Sequence, residues 1–283
     1  MPIEHISDTA RWVAVYRAME SERPDALFLD PHARRLAGPR GQAIVNTLRS
    51  GRSMAWAMIV RTAVFDEIIL SVLVRDRVGV VVNLAAGLDT RAWRLGLPST
   101  LEWVDVDLPE ILAYKTGQMH DVRPACAYRA VAADLTDAAA RARLFAQLRQ
   151  SSRRTLVVSE GLLIYLTPAQ VGELAADLHA QPAFSAWVTD LVSPTLLRWI
   201  SGSWGRSVAS ANAPFRFAPA NGADFFRPFG WRATQFRSSM EESQRLSREM
   251  RLAWLVRLAA RLSSAKRREK FRRLSGIVLL ERM

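Results

Sequence analysis

Val78-Gly-Val-Val-Val-Asn-Leu-Ala-Ala-Gly-Leu-Asp-Thr-Arg-Ala-Trp-Arg-Leu95 decides the fold of this chain. A continuous apolar run, β-branched on both faces, breaks at the small residues Ala85-Ala-Gly87 and resumes with helical character. A strand covered by helices on each side has this composition, and it predicts a parallel α/β sheet whose first strand ends at a ligand-binding turn. Twenty residues after Gly87, at the end of the second apolar segment, lies Asp107. That is the spacing at which an acid beside a glycine turn holds ribose hydroxyls, because one carboxylate can accept hydrogen bonds from both. A dinucleotide would call for G-x-G-x-x-G with a pyrophosphate at the helix N-terminus. Here only one glycine is present, and Asp89 puts negative charge where the pyrophosphate would go. The turn therefore suits a cationic, phosphate-free cofactor such as S-adenosylmethionine.

Outward from this segment the strand-then-helix rhythm repeats. Strands are predicted at 78–84, 101–106, 127–132, 155–159 and 185–191, with two more at 231–237 and 276–282, separated by a helical stretch rich in Arg, Glu and Leu. The result is a doubly wound sheet of seven strands. Residues 1–77 read as an N-terminal helical unit carrying Trp12, Tyr16, Phe28, Trp56 and Phe65, enough apolar surface to pack on the sheet or cover a pocket. Asp30-Pro31 is expected to start a helix at its first position. Ser201 to Asn221 is rich in Ser, Gly, Ala, Asn and Pro and is expected to be a loop or lid, part of an insertion near 194–225 within a catalytic domain spanning 78–283.

Arg23 to Pro31, Arg61-Thr-Ala-Val-Phe-Asp66, Asn83 to Arg91, Asp107-Leu-Pro109 and Glu160-Gly-Leu-Leu-Ile-Tyr-Leu166 occur in an order that resembles the leucine carboxyl methyltransferase family. The likeness is to its bacterial branch, which includes polyketide carboxyl O-methyltransferases. It implies a class I methyltransferase fold, Rossmann-like with the last strand antiparallel, a helical cap over the active site, and S-adenosylmethionine as cofactor. By the same resemblance Arg61 clamps the cofactor's methionine carboxylate, Asp134 and Leu135 meet the adenine, and Glu160 lies near the sulfonium or methionine amine. The cofactor turn is Ala85 to Gly87, where the family usually carries Gly-Ala-Gly, so Ala85 is a departure. Each residue also has a plainer reading. Arg61 can be a surface cation, Asp134 a helix N-cap, and Tyr165, offered as a catalytic residue on the acceptor side, a core tyrosine with a satisfied hydroxyl. Glu160 closes an apolar strand, where an unpaired buried carboxylate would be costly.

Composition is that of a soluble protein: 49% hydrophobic and 23% charged residues in 283. The lone Cys126 allows no internal disulfide, no run is apolar enough to span a membrane, and no basic-then-apolar leader opens the chain, so a cytoplasmic protein is expected. Net charge is +12, but residues 237–283 hold 13 Arg or Lys against 5 Asp or Glu, so the excess is concentrated at the C-terminus. Arg261 to Arg273 reads as a solvated helix face, and nucleic acid is not the expected partner. His5, His32, His120 and His179 lack metal-ligand spacing, so no metal is expected. His5, Tyr16 and His120 read as structural.

The expected reaction is O-methyl transfer to a carboxylate of a small molecule or peptide, Arg198 and Arg206 being candidates to neutralise an anionic acceptor. Two alternatives stand beside it: a nucleic-acid or protein methyltransferase docking through the basic C-terminal helix, and a non-catalytic module retaining the cofactor fold.

Overall fold

The computed structural model describes residues 7–47, 55–148, 153–209, 214–250, 253–255 and 263–283. Its centre is a seven-stranded sheet in the order β3-β2-β1-β4-β5-β7-β6. The strands are β1 (Val80–Leu84), β2 (Glu102–Asp107), β3 (Ala127–Ala132), β4 (Thr155–Ser159), β5 (Phe184–Val192), β6 (Trp231–Ser238) and β7 (Ser275–Arg282). β7 runs antiparallel to both of its neighbours, and every other pair is parallel.

Period-two alternation explains why β1 is apolar throughout. Val80, Val82 and Leu84 enter one core with Leu144, Phe145, Leu174 and Leu178 from α6 (Ala138–Leu148) and α7 (Pro168–His179). Val81 points to the other face, where Val64, Phe65, Ile68 and Val72 of α3 (Ala55–Arg75) cover the sheet. All five β1 residues are buried, including Asn83 on the α3 face. A third cluster joins α1 (Ser7–Ser21) to α2 (Ala33–Thr47) through Trp12, Val15, Tyr16, Leu36 and Ile44, and reaches Ile111 of α5 (Pro109–Met119). α1, α2 and the first turns of α3, whose Ala55, Ile59 and Ala63 join this cluster, thus form a helical layer toward the C-terminal edge of the sheet, while the rest of α3 lies on its face. Among the described residues no helix is long and apolar enough to cross a membrane.

Two local expectations change. α2 starts at Ala33, not Pro31; the Asp30 carboxylate accepts from His32 N–H but is mainly occupied by Arg17 (2.8 Å) and the Thr90 hydroxyl (2.7 Å). Ser201 to Asn221 does not begin as a loop, because α8 spans Pro194–Ala209 and only 214–221 is irregular among the described residues that follow. Leu196, Trp199 and Ile200, at helical spacing before the Gly and Ser residues, carry the helix into that stretch.

Candidate active site

Strand register sets the site. Leu84 lies opposite Val106 and Ser159, and Ser159 opposite Thr189. The next position on each strand brings Ala85, Asp107, Glu160 and Asp190 into one row at the C-terminal edge, beside the point where the strand order reverses between β1 and β4. A cavity of about 920 Å³ opens over this row. Its walls include every sequence-predicted cofactor residue: Arg61, Ala85, Gly87, Asp107, Asp134, Leu135 and Glu160, together with Tyr165.

The turn is held from several sides. Ala85 and Gly87 both have positive φ, 51° and 52°. Gly87 N–H donates to Asp107 Oδ2 at 2.6 Å, and Leu108 N–H to Oδ1 at 2.7 Å. A Cβ on Gly87 would meet the Ala10 methyl of α1 at 3.2 Å, so glycine is needed for backbone angle and close approach together. Burial pushes the Asp107 carboxyl above its ordinary range, opposed by those two backbone donors. Asp89 accepts from Arg91 N–H at 2.8 Å, filling the helix N-terminus that a pyrophosphate would use. The same carboxylate binds Arg91 Nη1 at 2.6 Å and the Asn83 amide at 3.0 Å. Burial disfavours its charge, but Arg91 and more distant cations outweigh burial and hold it well below the usual carboxylate range.

Arg61 is no surface cation. It lies inside α3, largely buried, with Nε on Glu160 Oε1 at 2.9 Å and Nη1 on Asp190 Oδ2 at 3.3 Å. Glu160 Oε2 also meets Arg91 Nη2 at 2.8 Å. Burial penalises the Glu160 charge, yet Arg91 and Arg61 overcome it and lower its pKa. For Asp190 burial wins over Arg61 and the Gly161 N–H donor, and its pKa is raised. Tyr165, in a 3-10 turn at Leu163–Tyr165, packs on Phe215 at 5.5 Å, and burial raises its pKa against a hydrogen bond with Thr9.

Asp134 is not the N-cap of α6. It accepts from Thr136 N–H and hydroxyl in a tight turn, and Asp137 takes the capping position by accepting from Ala139 N–H. Leu135 drops into the core between them, so the chain needs one more turn before the helix starts. Arg198 is exposed and lines no part of the cavity, and the Arg206 side chain falls outside the described residues. Arg216 lines the cavity instead, brought there by its backbone N–H on the Ile164 carbonyl at 2.7 Å. Tyr16 is buried between α1 and α2, its pKa pushed up to about 12 by burial, and is not a cavity residue. His120 is exposed, and His5 falls outside the described residues. Sequence reasoning missed Asp190, Arg91, Asn83 and Arg216.

The donor set fits a cationic nucleoside-type cofactor. In a chain of net charge +12 the described residues of the cavity walls include five acids, Asp89, Asp107, Asp134, Glu160 and Asp190, against four bases, Arg17, Arg61, Arg91 and Arg216. The acids crowd the strand ends, whereas the outer wall of Met58, Leu196, Trp199, Ile200, Phe215 and Met240 is apolar.

The leucine carboxyl methyltransferase family matches residues 10–179. A Mycolicibacterium smegmatis protein provisionally named an S-adenosyl-L-methionine-dependent methyltransferase is 31% identical over 255 residues, covering 81% of this chain and 84% of its own. A similarly named Parafrankia protein is 37% identical over 183 residues, covering 61% and 58%. The crystal structure of a duf574 family protein from Streptomyces avermitilis matches with a TM-score of 0.62 over 97% of both chains at 12% identity, a likeness of fold.

Proposed function

The chain belongs to the leucine carboxyl methyltransferase family and is an S-adenosylmethionine-dependent methyltransferase, and from that premise we propose that its acceptor is a carboxylate of a small molecule or peptide. The cofactor, when bound, supplies a methyl group on a positively charged sulfur. In this reading Asp107 accepts the ribose hydroxyls, Asp134 and Leu135 meet the adenine edge, and Ala85 to Gly87 let the backbone approach the ligand. Arg61 is assigned to the methionine carboxylate, a role suited to its fork. Glu160 keeps negative charge beside the cofactor's positive charge. The apolar outer wall excludes water and restricts the acceptor's orientation, which is most of what an in-line displacement asks of a protein.

One observation carries the choice of acceptor: among the described residues lining the cavity there is no histidine or lysine. Tyr165, which packs on Phe215 of the outer wall, has a pKa raised by burial and holds its proton at neutral pH. A hydroxyl acceptor would need a base there, whereas a carboxylate arrives ionised. Arg216 provides a cation on that side, in the role expected of Arg198 or Arg206. The test is single-turnover methyl transfer from pH 6 to 9 with candidate acids, which isolates chemistry from product release. A nearly flat rate is expected; a steep rise with pH would defeat the carboxylate assignment and turn the search for a base to Tyr165.

A further inference from the structure

We propose that Asp190 is a positioning residue for cofactor binding, acting through Arg61 on recognition of the methionine carboxylate. The inference rests on the cofactor reading above and extends it to a residue that lies outside every motif carrying the family resemblance. Asp190 occupies the same row as Ala85, Asp107 and Glu160, one position past the Ser159 and Thr189 pair. Its two oxygens have separate tasks: Oδ1 accepts from Gly161 N–H at 2.7 Å, and Oδ2 faces Arg61 Nη1 at 3.3 Å.

Arg61 needs this second support. Glu160 contacts it through Nε with one oxygen and gives the other to Arg91. A guanidinium held only at Nε can still change its tilt, whereas contacts at Nε and Nη1 together fix its plane. Among the described residues Nη2 has no hydrogen-bond partner, and it is the corner left to receive a carboxylate. Beneath the guanidinium lies Gly161, at φ 69°, where a Cβ would come within 3.1 Å of Nη1 and 3.5 Å of Nη2. Asp190 therefore secures both the guanidinium and the backbone on which it rests, and it links β5 to a clamp otherwise built from α3 and the end of β4.

The experiment compares two ligands on the full-length protein by calorimetry: S-adenosylhomocysteine, which carries the methionine carboxylate, and 5′-methylthioadenosine, which lacks it. Asp190→Asn retains an acceptor for Gly161 N–H while removing the anion beside Arg61. We expect about a tenfold weaker Kd for S-adenosylhomocysteine and a change within about twofold for 5′-methylthioadenosine. In an Arg61→Gln background, adding Asp190→Asn should weaken S-adenosylhomocysteine no further, since the two residues act as one unit. Gly161→Ala presses a methyl toward the same Nη1 and should give the same selective loss, which keeps the proposal testable if Asp190→Asn does not fold. Equal losses for both ligands, an unchanged Kd for S-adenosylhomocysteine, or additive losses with Arg61→Gln would each overturn the proposal. A wild-type protein that binds neither ligand would overturn the cofactor reading itself, and the role of Asp190 with it.

Discussion

Ala85→Gly should stabilise the protein slightly and leave cofactor affinity intact. Ala85 has φ 51°, a region that crowds an L-residue's Cβ against the following carbonyl at a cost of roughly 1–2 kcal/mol. The turn cannot relax out of it. Ala86 N–H is bonded to the Val106 carbonyl at 3.1 Å and Gly87 N–H to Asp107 at 2.6 Å, so both residues after Ala85 are fixed to β2. Glycine relieves the strain but widens the unfolded ensemble, which offsets about 0.4–1 kcal/mol. It also removes a half-buried methyl, about half of the ~0.8 kcal/mol of a fully buried one. The net gain is about 0.5 kcal/mol, a Tm rise on the order of 1–2 °C for a chain of this size. Urea unfolding and thermal melts measure the stability, and calorimetry with S-adenosylhomocysteine measures the affinity. A drop in Tm of more than about 2 °C would refute the strain argument. A loss of affinity beyond about tenfold, ~1.4 kcal/mol, would show that the Ala85 methyl makes a contact the ligand needs.

Asp107→Ala should weaken S-adenosylhomocysteine at least about a hundredfold in calorimetry, with a stability loss of only about 1–3 kcal/mol from the stranded Gly87 and Leu108 N–H groups; an unchanged Kd would remove Asp107 from the site. Arg216→Ala should raise the KM of an acid acceptor by about tenfold and leave the cofactor Kd alone; equal effects on both would place Arg216 outside the acceptor's path. Asp105→Asn should cost about 3–5 kcal/mol in urea unfolding, because Lys115 (2.5 Å), fully buried on α5, would lose its anion, and Tyr128, Trp103 and Asn83 also donate to that carboxylate. Acid stability follows from opposed shifts. Asp30, Asp89 and Glu160 have lowered pKa values, so the stability they add is present above the ordinary carboxyl range and is lost as pH falls through their folded values. Asp107 and Asp190 are raised and favour the folded state as they take up protons. The urea midpoint should hold or rise slightly from pH 7 toward about 5 and fall steeply below about 4; a steady decline from pH 7 would refute this ordering.

The parts legible in the sequence are those that one strand or one turn decides alone. Central strands buried on both faces leave unbroken apolar runs, so the predicted β1 and β4 agree within two residues with their observed ends, and the acids at the last position of β2 and just past β4, Asp107 and Glu160, mark the candidate ligand edge. Asp190 occupies the equivalent place on β5 but is followed by Leu191 and Val192, which continue the strand and make the acid look internal to it. Its meaning comes from register with Ser159, a relation between strands that no window along the chain contains. Arg91 is harder still. As sequence it is a cation opening a short helix, while in the fold it joins Asp66 of α3, Asp89 of the turn and Glu160 beyond β4. Arg216 repeats the pattern, brought in by a backbone pairing to Ile164. Residue type and strand position were therefore enough to name residues that the fold gathers around one cavity. The charge state of the cavity is set by pairings between distant segments. Net charge is no guide to this cavity for that reason: in a chain with an excess of twelve positive charges, the described cavity residues include more acids than bases, while Lys266, Arg267, Arg268, Lys270 and Arg272 lie on the exposed helix Ala265–Arg272.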